Sequence, residues 1–299
     1  MKTSKIACLL YTLFIYSTTA VFAQDALPVP PPCDVPAAKI EEAKMHKTAP
    51  DSIVVSIALP DCFAELLPNE ITDPAEVLQP VLEHLRLMRL GVTTDTLRIL
   101  HIGDSHVRGR IFPNTVGQRL TDDFGAIAYT NLGVNGATCL TFTHPARIDA
   151  IAEAAPHLII LSFGTNESHN RRYNANAHYH QMDELVTLIR NRLPGVPMLM
   201  STPPGSYESF RQRNRRRTYT INPRTVTAVE TIHAYATNHQ LAVWDMYTNL
   251  GGCKRACLNW QEAGLMRPDH VHYLPEAYVL QGELLYQAII NAYNAYVSF

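Results

Sequence analysis

A serine, an asparagine and an aspartate–histidine pair stand out in the sequence because their types and spacing suit one kind of chemistry. Ser105 lies in "GDSH", directly after the apolar run "LRILHI", and Asn166 lies in "GTNES", after "HLIILSF". His272 follows Asp269 by three residues in "RPDHVHYLP". Acyl transfer requires a hydroxyl nucleophile, a base, an acid that orients the base, and donors for the developing oxyanion. These residues supply each of those groups.

We assign one role to each residue. Ser105 is the candidate nucleophile, and its own backbone N–H at a strand-to-helix turn is one candidate oxyanion donor. Gly136, in "NLGVNGAT", lets a second backbone N–H approach without a side chain in the way, and the Asn166 amide is the third donor. His272 is the candidate base, and Asp269 is near enough in sequence to hold its other ring nitrogen.

Each residue also has an ordinary structural interpretation. A serine after a strand is commonly a helix N-cap, and Asp104 suits the backbone N–H groups of a turn. Gly133 and Gly136 suit turns, Asn166 suits a helix cap, and the aspartate–histidine pair suits a surface turn. His270 is a rival base, but adjacent side chains on an extended chain point apart. The combination of these residues favours the catalytic interpretation.

A regular alternation of strands and helices positions these groups. The predicted strands are "LRILHIG" (97–103), "AIAYTNLG" (126–133), "HLIILSFG" (157–164), "VPMLMSTP" (196–203) and "LAVWDMY" (241–247). Helical spacing of apolar residues predicts helices near 74–90, 111–122, 145–154, 177–193, 224–239 and 275–297. Continuous apolar strands joined by helices indicate a parallel sheet covered on both faces, with function at the carboxyl ends of the strands.

The N-terminal part of the chain differs from this pattern. Residues 1–23 have a basic start, a short apolar run and small residues before the end, which predicts a cleaved secretory signal; the alternative, a membrane anchor, needs a longer apolar run. Residues 24–50 are proline-rich and predict an extended tether. Residues 51–95 are expected to pack on the domain formed by 96–299, and "SIVVSIAL" is a possible strand. Export predicts a periplasmic or secreted protein.

Four segments, in this order, resemble the four sequence blocks of the SGNH hydrolase superfamily, also called GDSL-type esterases. They are "GDSH" (103–106), "NLGVNGAT" (131–138), "GTNE" (164–167) and "DHVH" (269–272). The resemblance covers about residues 95–299. It implies a flavodoxin-like three-layer α/β/α fold, here with a five-stranded parallel sheet, and no cofactor. It also implies that Ser105 is the nucleophile, that Asp269 and His272 complete the triad, and that Gly136 and Asn166 complete the oxyanion hole.

Two residues depart from the commonest family pattern. His106 follows the serine where leucine is commoner, and Glu167 stands where aspartate is commoner. Both variants resemble the branch that contains peptidoglycan O-acetylesterases. We therefore expect a serine esterase that removes acetyl groups from carbohydrate. The alternatives are a lipase or thioesterase of the same fold and a non-catalytic glycan-binding protein.

The net charge of the chain and its arginine-rich stretch bear on the class of molecule that the protein binds. The formal net charge is −2 and becomes −4 without the predicted signal, which contributes two lysines and no acid. This balance argues against a nucleic-acid binder. The arginine-rich stretch "RQRNRRR" (211–217) instead suits an anionic polymer, because guanidinium groups pair with carboxylates. The candidate substrate-contacting residues are His106, Tyr207, Arg211 and Arg213.

Cysteines and histidines give weaker signals. In an exported chain, Cys33–Cys62 and Cys253–Cys257 are plausible disulfides, with Cys139 free. The motifs "HVH" (270–272) and "HYH" (178–180) each resemble half of a metal site, but no carboxylate or cysteine follows at a recognisable spacing. The sequence therefore predicts no metal.

Overall fold

The computed structural model describes residues 52–211 and 217–298. Its central sheet is formed by β1 (Ile71–Thr72), β2 (Leu97–Gly103), β3 (Ile127–Gly133), β4 (Leu158–Ser162), β5 (Met198–Ser201) and β8 (Ala242–Trp244). A separate hairpin is formed by β6 (Tyr207–Arg211) and β7 (Arg217–Ile221). The predicted signal and tether lie outside the described residues.

The strand order of the central sheet is β1-β8-β5-β4-β2-β3. All neighbours pair in parallel except β1, which pairs antiparallel with β8. The five predicted parallel strands are confirmed, and β1 adds a short sixth strand at the edge. A two-residue strand carries too little periodicity to be predicted from sequence.

Helices cover both faces of the sheet. They are α1 (Gln79–Arg89), α2 (Ser105–Arg108), α3 (Ile111–Phe124), α4 (Pro145–Glu153), α5 (Thr165–His169), α6 (Ala175–Arg192), α7 (Arg224–His239), α8 (Met246–Asn249), α9 (Gly252–Glu262) and α10 (Pro275–Val297). Side chains alternate along β2, so that Leu97 and Ile99 pack with α1, α3 and α10, whereas Leu100 and Ile102 pack with α4, α6 and α7. The three-layer fold is confirmed.

The segment before β1 does not form the strand predicted from "SIVVSIAL". Asn294 of α10 both donates to and accepts from the backbone of Ile53, and Gln287 donates to the carbonyl of Val55. The alternating apolar residues of this segment pack against the core instead. The strand prediction is wrong because side-chain amides of a helix satisfy the backbone groups that a neighbouring strand would otherwise pair with.

The hairpin β6–β7, which follows β5, and α9, which lies after β8, were not predicted. Strand β6 ends and strand β7 begins at the two ends of the arginine-rich stretch 211–217, and α9 carries Cys253 and Cys257. Every helix among the described residues is too short or too polar to serve as a membrane span.

Candidate active site

Ser105 begins α2, immediately beyond the carboxyl end of β2. Asp104 is the N-cap of this helix, and its Oδ1 accepts a hydrogen bond from the backbone N–H of His106 at 2.9 Å. The capping role therefore belongs to Asp104, which leaves the Ser105 hydroxyl free for another partner. That partner is His272, whose Nε2 lies 2.9 Å from Ser105 Oγ.

His272 and Asp269 share the turn before α10. His272 Nδ1 lies 2.9 Å from Asp269 Oδ2. Asp269 Oδ1 accepts from the backbone N–H groups of Val271 at 2.9 Å and His272 at 2.8 Å. Partial burial opposes ionisation of Asp269, but these donors outweigh it and lower its pKa to about 2. The ionised carboxylate fixes the His272 proton on Nδ1, so that Nε2 can accept the serine proton.

The candidate oxyanion donors come from two neighbouring loops. Asn166 Nδ2 donates to the carbonyl of Ala137 at 2.9 Å and approaches Asp104 Oδ2 at 3.3 Å. The first bond ties the Asn166 amide to the residue that follows Gly136. The backbone N–H groups of Ser105 and Gly136 donate to no acceptor among the described residues. Both are thus available to a substrate oxygen.

The two glycines of the second block serve different purposes. Gly136 has a φ of +71°, and a Cβ there would meet nothing within 4 Å, so its conformation and not crowding favours glycine. Gly133 ends β3, and a Cβ there would lie 2.6 Å from Arg108 Cα. Gly133 is therefore required by the close approach of the Arg108 backbone, whereas the role of Gly136 as an oxyanion donor stays a prediction.

Asp104 is the buried acid of the site, at 2% exposure. Burial raises its pKa to about 7, although the His106 N–H and the nearby His272 favour its ionised form. A carboxyl that exchanges its proton near neutral pH thus lies directly beside the candidate nucleophile.

His106 does not face solvent. It is 5% exposed, its Nδ1 lies 3.0 Å from the hydroxyl of Tyr278, and its ring lies 5.6 Å from that of His272. Burial, followed by the proximity of His272, lowers the pKa of His106 to about 3 and keeps the ring neutral. His106 therefore lies in the interior next to His272, where it packs against neighbouring rings and offers little surface to a substrate. Sequence spacing gave no sign of Tyr278, which lies in the apolar pattern of α10.

His270, the rival base, points toward the hairpin. Its ring lies tilted by 40° against that of Tyr219, with centres 4.2 Å apart, and lies edge-on to that of Tyr207 at 5.4 Å. The His270 carbonyl accepts from the Tyr207 N–H at 2.9 Å. The Tyr219 hydroxyl also donates to the carbonyl of Pro268. The hairpin therefore supports the turn that carries Asp269, a contribution of Tyr219 that no sequence motif indicated.

This arrangement corrects the expectation for Tyr207. Its ring is buried, at 6% exposure, and its hydroxyl donates to Gln261, so it is unavailable to stack on a sugar. Phe210, farther along β6, is 39% exposed, and the guanidinium of Arg171 lies 5.3 Å from its ring centre. Arg211 is exposed at the end of β6, and Arg213 lies outside the described residues.

The cysteine expectations are partly corrected. Cys253 and Cys257 are free and lie one turn apart on α9, with Cys253 exposed and Cys257 buried. A regular helix directs these side chains outward instead of toward each other, which explains why the predicted pair does not form. Cys139 is free, as expected. Cys62 forms no disulfide with a described residue, and Cys33 lies outside them.

Comparisons with known proteins agree with this geometry. The sequence profile of the GDSL-like Lipase/Acylhydrolase family matches residues 101–280. A solved structure described as a peptidoglycan O-acetylesterase in action aligns with a TM-score of 0.65 at 16% identity, covering 75% of this chain and 99% of that one. No curated protein sequence matches the chain.

Two other solved structures are esterases active on, or named for, acetylated polysaccharides. A two-domain esterase active on acetylated mannans aligns with a TM-score of 0.53 at 14% identity, covering 76% of this chain and 56% of that one. An acetyl xylan esterase aligns with a TM-score of 0.51 at 13% identity, covering 64% and 100%. At such identities the similarity shows the shared fold.

Proposed function

The chain belongs to the GDSL-like lipase/acylhydrolase family, and we propose that this carboxylic ester hydrolase removes acetyl groups from carbohydrate, with O-acetylated peptidoglycan as a candidate substrate. One observation carries the proposal. The Ser105 hydroxyl, just beyond the carboxyl end of β2, forms with His272 and Asp269 a continuous hydrogen-bonded series with two contacts of 2.9 Å.

The proposed reaction has two steps. His272 Nε2 takes the Ser105 proton as Ser105 Oγ attacks the ester carbonyl, and the resulting imidazolium then protonates the departing sugar hydroxyl. Water, activated by the same nitrogen, attacks the acetyl-serine and releases acetate and free Ser105. Asp269 keeps its negative charge throughout and stabilises the imidazolium.

The oxyanion of each tetrahedral intermediate is assigned to three donors. They are the backbone N–H groups of Ser105 and Gly136 and the side-chain amide of Asn166. The two backbone donors carry no acceptor among the described residues, and Asn166 can exchange its long contact with Asp104 for the oxyanion. Donors held in place before the reaction stabilise the transition state without reorganisation.

The exposure of the site favours a polymeric substrate. The side chains of His272 and Asp269 are 34% and 47% exposed, so the dyad lies at the surface of the domain, where a long glycan can reach it. A dyad at the end of a closed acyl tunnel would be largely buried. The neighbouring structures with carbohydrate acetylesterase descriptions support the same substrate class.

Activity against graded esters tests the proposal. We expect hydrolysis of p-nitrophenyl acetate, a lower rate with butyrate and longer chains, and loss of activity in Ser105→Ala. Preference for long chains would instead indicate a lipase or thioesterase, and an inactive wild type would indicate a glycan-binding protein. Acetate release from O-acetylated peptidoglycan, compared with acetylated xylan, then identifies the substrate.

The arginine-rich end of the hairpin offers a test of polymer binding. Arg211 and Arg217 are exposed at its two strand ends, on the element that contacts the turn of Asp269. Replacing these arginines and Arg213 with glutamine is expected to raise KM for an anionic acetylated polymer while sparing p-nitrophenyl acetate. Equal losses on both substrates would contradict a role in polymer binding.

We also propose that the enzyme acts in the periplasm or outside the cell. The support is the N-terminal sequence pattern described above, with small residues before Gln24. Sequencing the N-terminus of the mature protein tests it, because cleavage after Ala23 is expected. An intact N-terminus in the cytoplasm would contradict export.

A further inference from the structure

Three buried side chains from separate elements meet on one side of the sheet. Cys139 begins the short 3₁₀ helix Cys139–Thr143, Glu167 lies in α5 and His178 lies in α6. One ligand atom from each lies within 4.8 Å of the others. Their exposed fractions are 1%, 6% and 2%. Burial of polar groups such as these is costly unless each group has a partner.

A chain of hydrogen bonds fixes the tautomer of His178. The Thr231 hydroxyl donates to the carbonyl of Thr227 at 2.6 Å, so Thr231 Oγ1 can only accept from the Tyr173 hydroxyl, 3.1 Å away. Tyr173 in turn accepts from His178 Nδ1, at 3.0 Å. The proton of His178 is therefore on Nδ1, and Nε2 presents a bare lone pair.

This Nε2 lone pair is buried and has no hydrogen-bond partner among the described residues. A neutral imidazole that donates through one nitrogen and holds the other free is the form in which histidine binds metals.

Hydrogen bonds also fix the orientation of the Glu167 carboxylate. Its two oxygens accept from the backbone N–H groups of Cys139 and Gly164, each at 2.9 Å. Each carboxylate oxygen has a further lone pair, so these bonds orient the carboxylate and still leave its oxygens able to bind a cation. The same bonds hold the Cys139 backbone and, with it, the thiol beside Glu167.

We propose that Cys139, Glu167 and His178 bind a divalent cation of the Zn²⁺ class. One thiolate and one carboxylate neutralise the two charges of the ion, with release of the thiol proton, and the imidazole completes a mixed S, O, N ligand set. Three protein ligands leave one tetrahedral position for water. Zinc bonds of roughly 2.0–2.3 Å place ligand atoms about 3.5 Å apart, so a contraction of about 1 Å closes the site.

The sequence could not have shown this site. His178 belongs to "HYH", but its partners lie 39 and 11 residues earlier, far from any recognisable metal-ligand spacing. The fold brings them together because the loops after β3 and β4 meet over α6. Cys139 lies three residues after Gly136, and Glu167 follows Asn166. The ion would thus fasten together the two loops that carry the candidate oxyanion donors.

Metal incorporation during refolding tests the proposal, because a fully buried site is loaded most readily before the chain closes over it. The full chain is unfolded, refolded with Co²⁺ or Zn²⁺ and desalted. We expect one equivalent of retained metal, a thiolate-to-cobalt charge-transfer band, and a melting temperature raised by about 5 °C or more in excess Zn²⁺.

Three variants make the test specific. Cys139→Ser should abolish the charge-transfer band, and His178→Asn, which keeps a donor to Tyr173, should weaken Co²⁺ binding at least 100-fold. Cys257→Ser removes a buried thiol elsewhere and should change neither. Failure of the wild type to retain metal, or a band that survives Cys139→Ser, would overturn the proposal. None of these readouts depends on esterase activity.

Discussion

Replacing Asp269 by asparagine isolates the effect of charge on the candidate base. The asparagine Oδ1 can still accept from the backbone N–H groups of Val271 and His272, now at 2.9 and 2.8 Å, so the turn should keep its shape. Its NH₂ group then faces His272 Nδ1. The ring responds by moving its proton to Nε2, where it donates to Ser105 Oγ and cannot take the serine proton.

The magnitude follows from the contacts that change. The hydrogen bond from His272 Nδ1 to the charged Asp269 carboxylate contributes about 1.5–3 kcal/mol, which the variant loses. In the active tautomer the new amide N–H would also face the Nδ1–H without an acceptor, which costs about 1–3 kcal/mol more. Because the Asp269 side chain is half-exposed, water reduces this free-energy cost, and we expect the barrier to rise by about 3 kcal/mol in total. That is a fall in kcat of about 150-fold.

The assay is steady-state hydrolysis of p-nitrophenyl acetate, paired with urea unfolding. KM and the free energy of unfolding should stay near their wild-type values, the latter within about 1 kcal/mol. Asp245→Asn is the matched control, because Asp245 Oδ2 lies 2.6 Å from His233 Nε2 in a pair that does not contact Ser105. A kcat for Asp269→Asn within about fivefold of wild type, or an equal fall in Asp245→Asn, would refute the orienting role.

Three further results are expected. Asn166→Ala should lower kcat roughly 100-fold with little change in KM, because it removes an oxyanion donor worth on the order of 3 kcal/mol; an unchanged kcat would exclude that role. Gly133→Ala should destabilise the fold by more than about 3 kcal/mol in urea unfolding, since its Cβ would strike the Arg108 backbone, whereas Gly136→Ala should cost about 1–2 kcal/mol for its φ alone; equal losses would contradict this distinction. Burial raises the pKa of Asp104 to about 7, so the folded state keeps a proton that the unfolded chain loses near pH 4, and wild-type stability should fall between pH 4 and 7 relative to Asp104→Asn, by up to roughly 4 kcal/mol; parallel pH profiles would contradict the raised pKa.

The central sheet was predictable because its five parallel strands are buried on both faces. Such strands appear as continuous apolar runs, and β2 extends over the predicted residues Leu97–Gly103 without a shift. The contact between Ser105 and His272 was predictable for a different reason. Their motifs occur in the order of the family's sequence blocks, and Ser105 lies at the carboxyl end of β2, where sites form in this fold.

Features that depend on particular side-chain partners were not predictable. Tyr207 has the composition of a sugar-stacking residue, but its burial depends on His270 and Gln261, which lie more than 50 residues away. The segment at Ile53 has the alternation of a strand, but Asn294 of α10 satisfies its backbone. A local sequence pattern predicts the conformation of a segment more readily than it predicts which distant residues will contact that segment.

Labelling of the nucleophile tests the central claim most directly. The full chain is treated with a fluorophosphonate, which reacts with activated serines, and the modified peptide is identified by mass spectrometry. The geometry predicts one adduct, on Ser105, and its loss in His272→Ala under the same conditions. An adduct on another residue, or labelling of Ser105 at the same rate without His272, would contradict the proposed activation of Ser105 by His272.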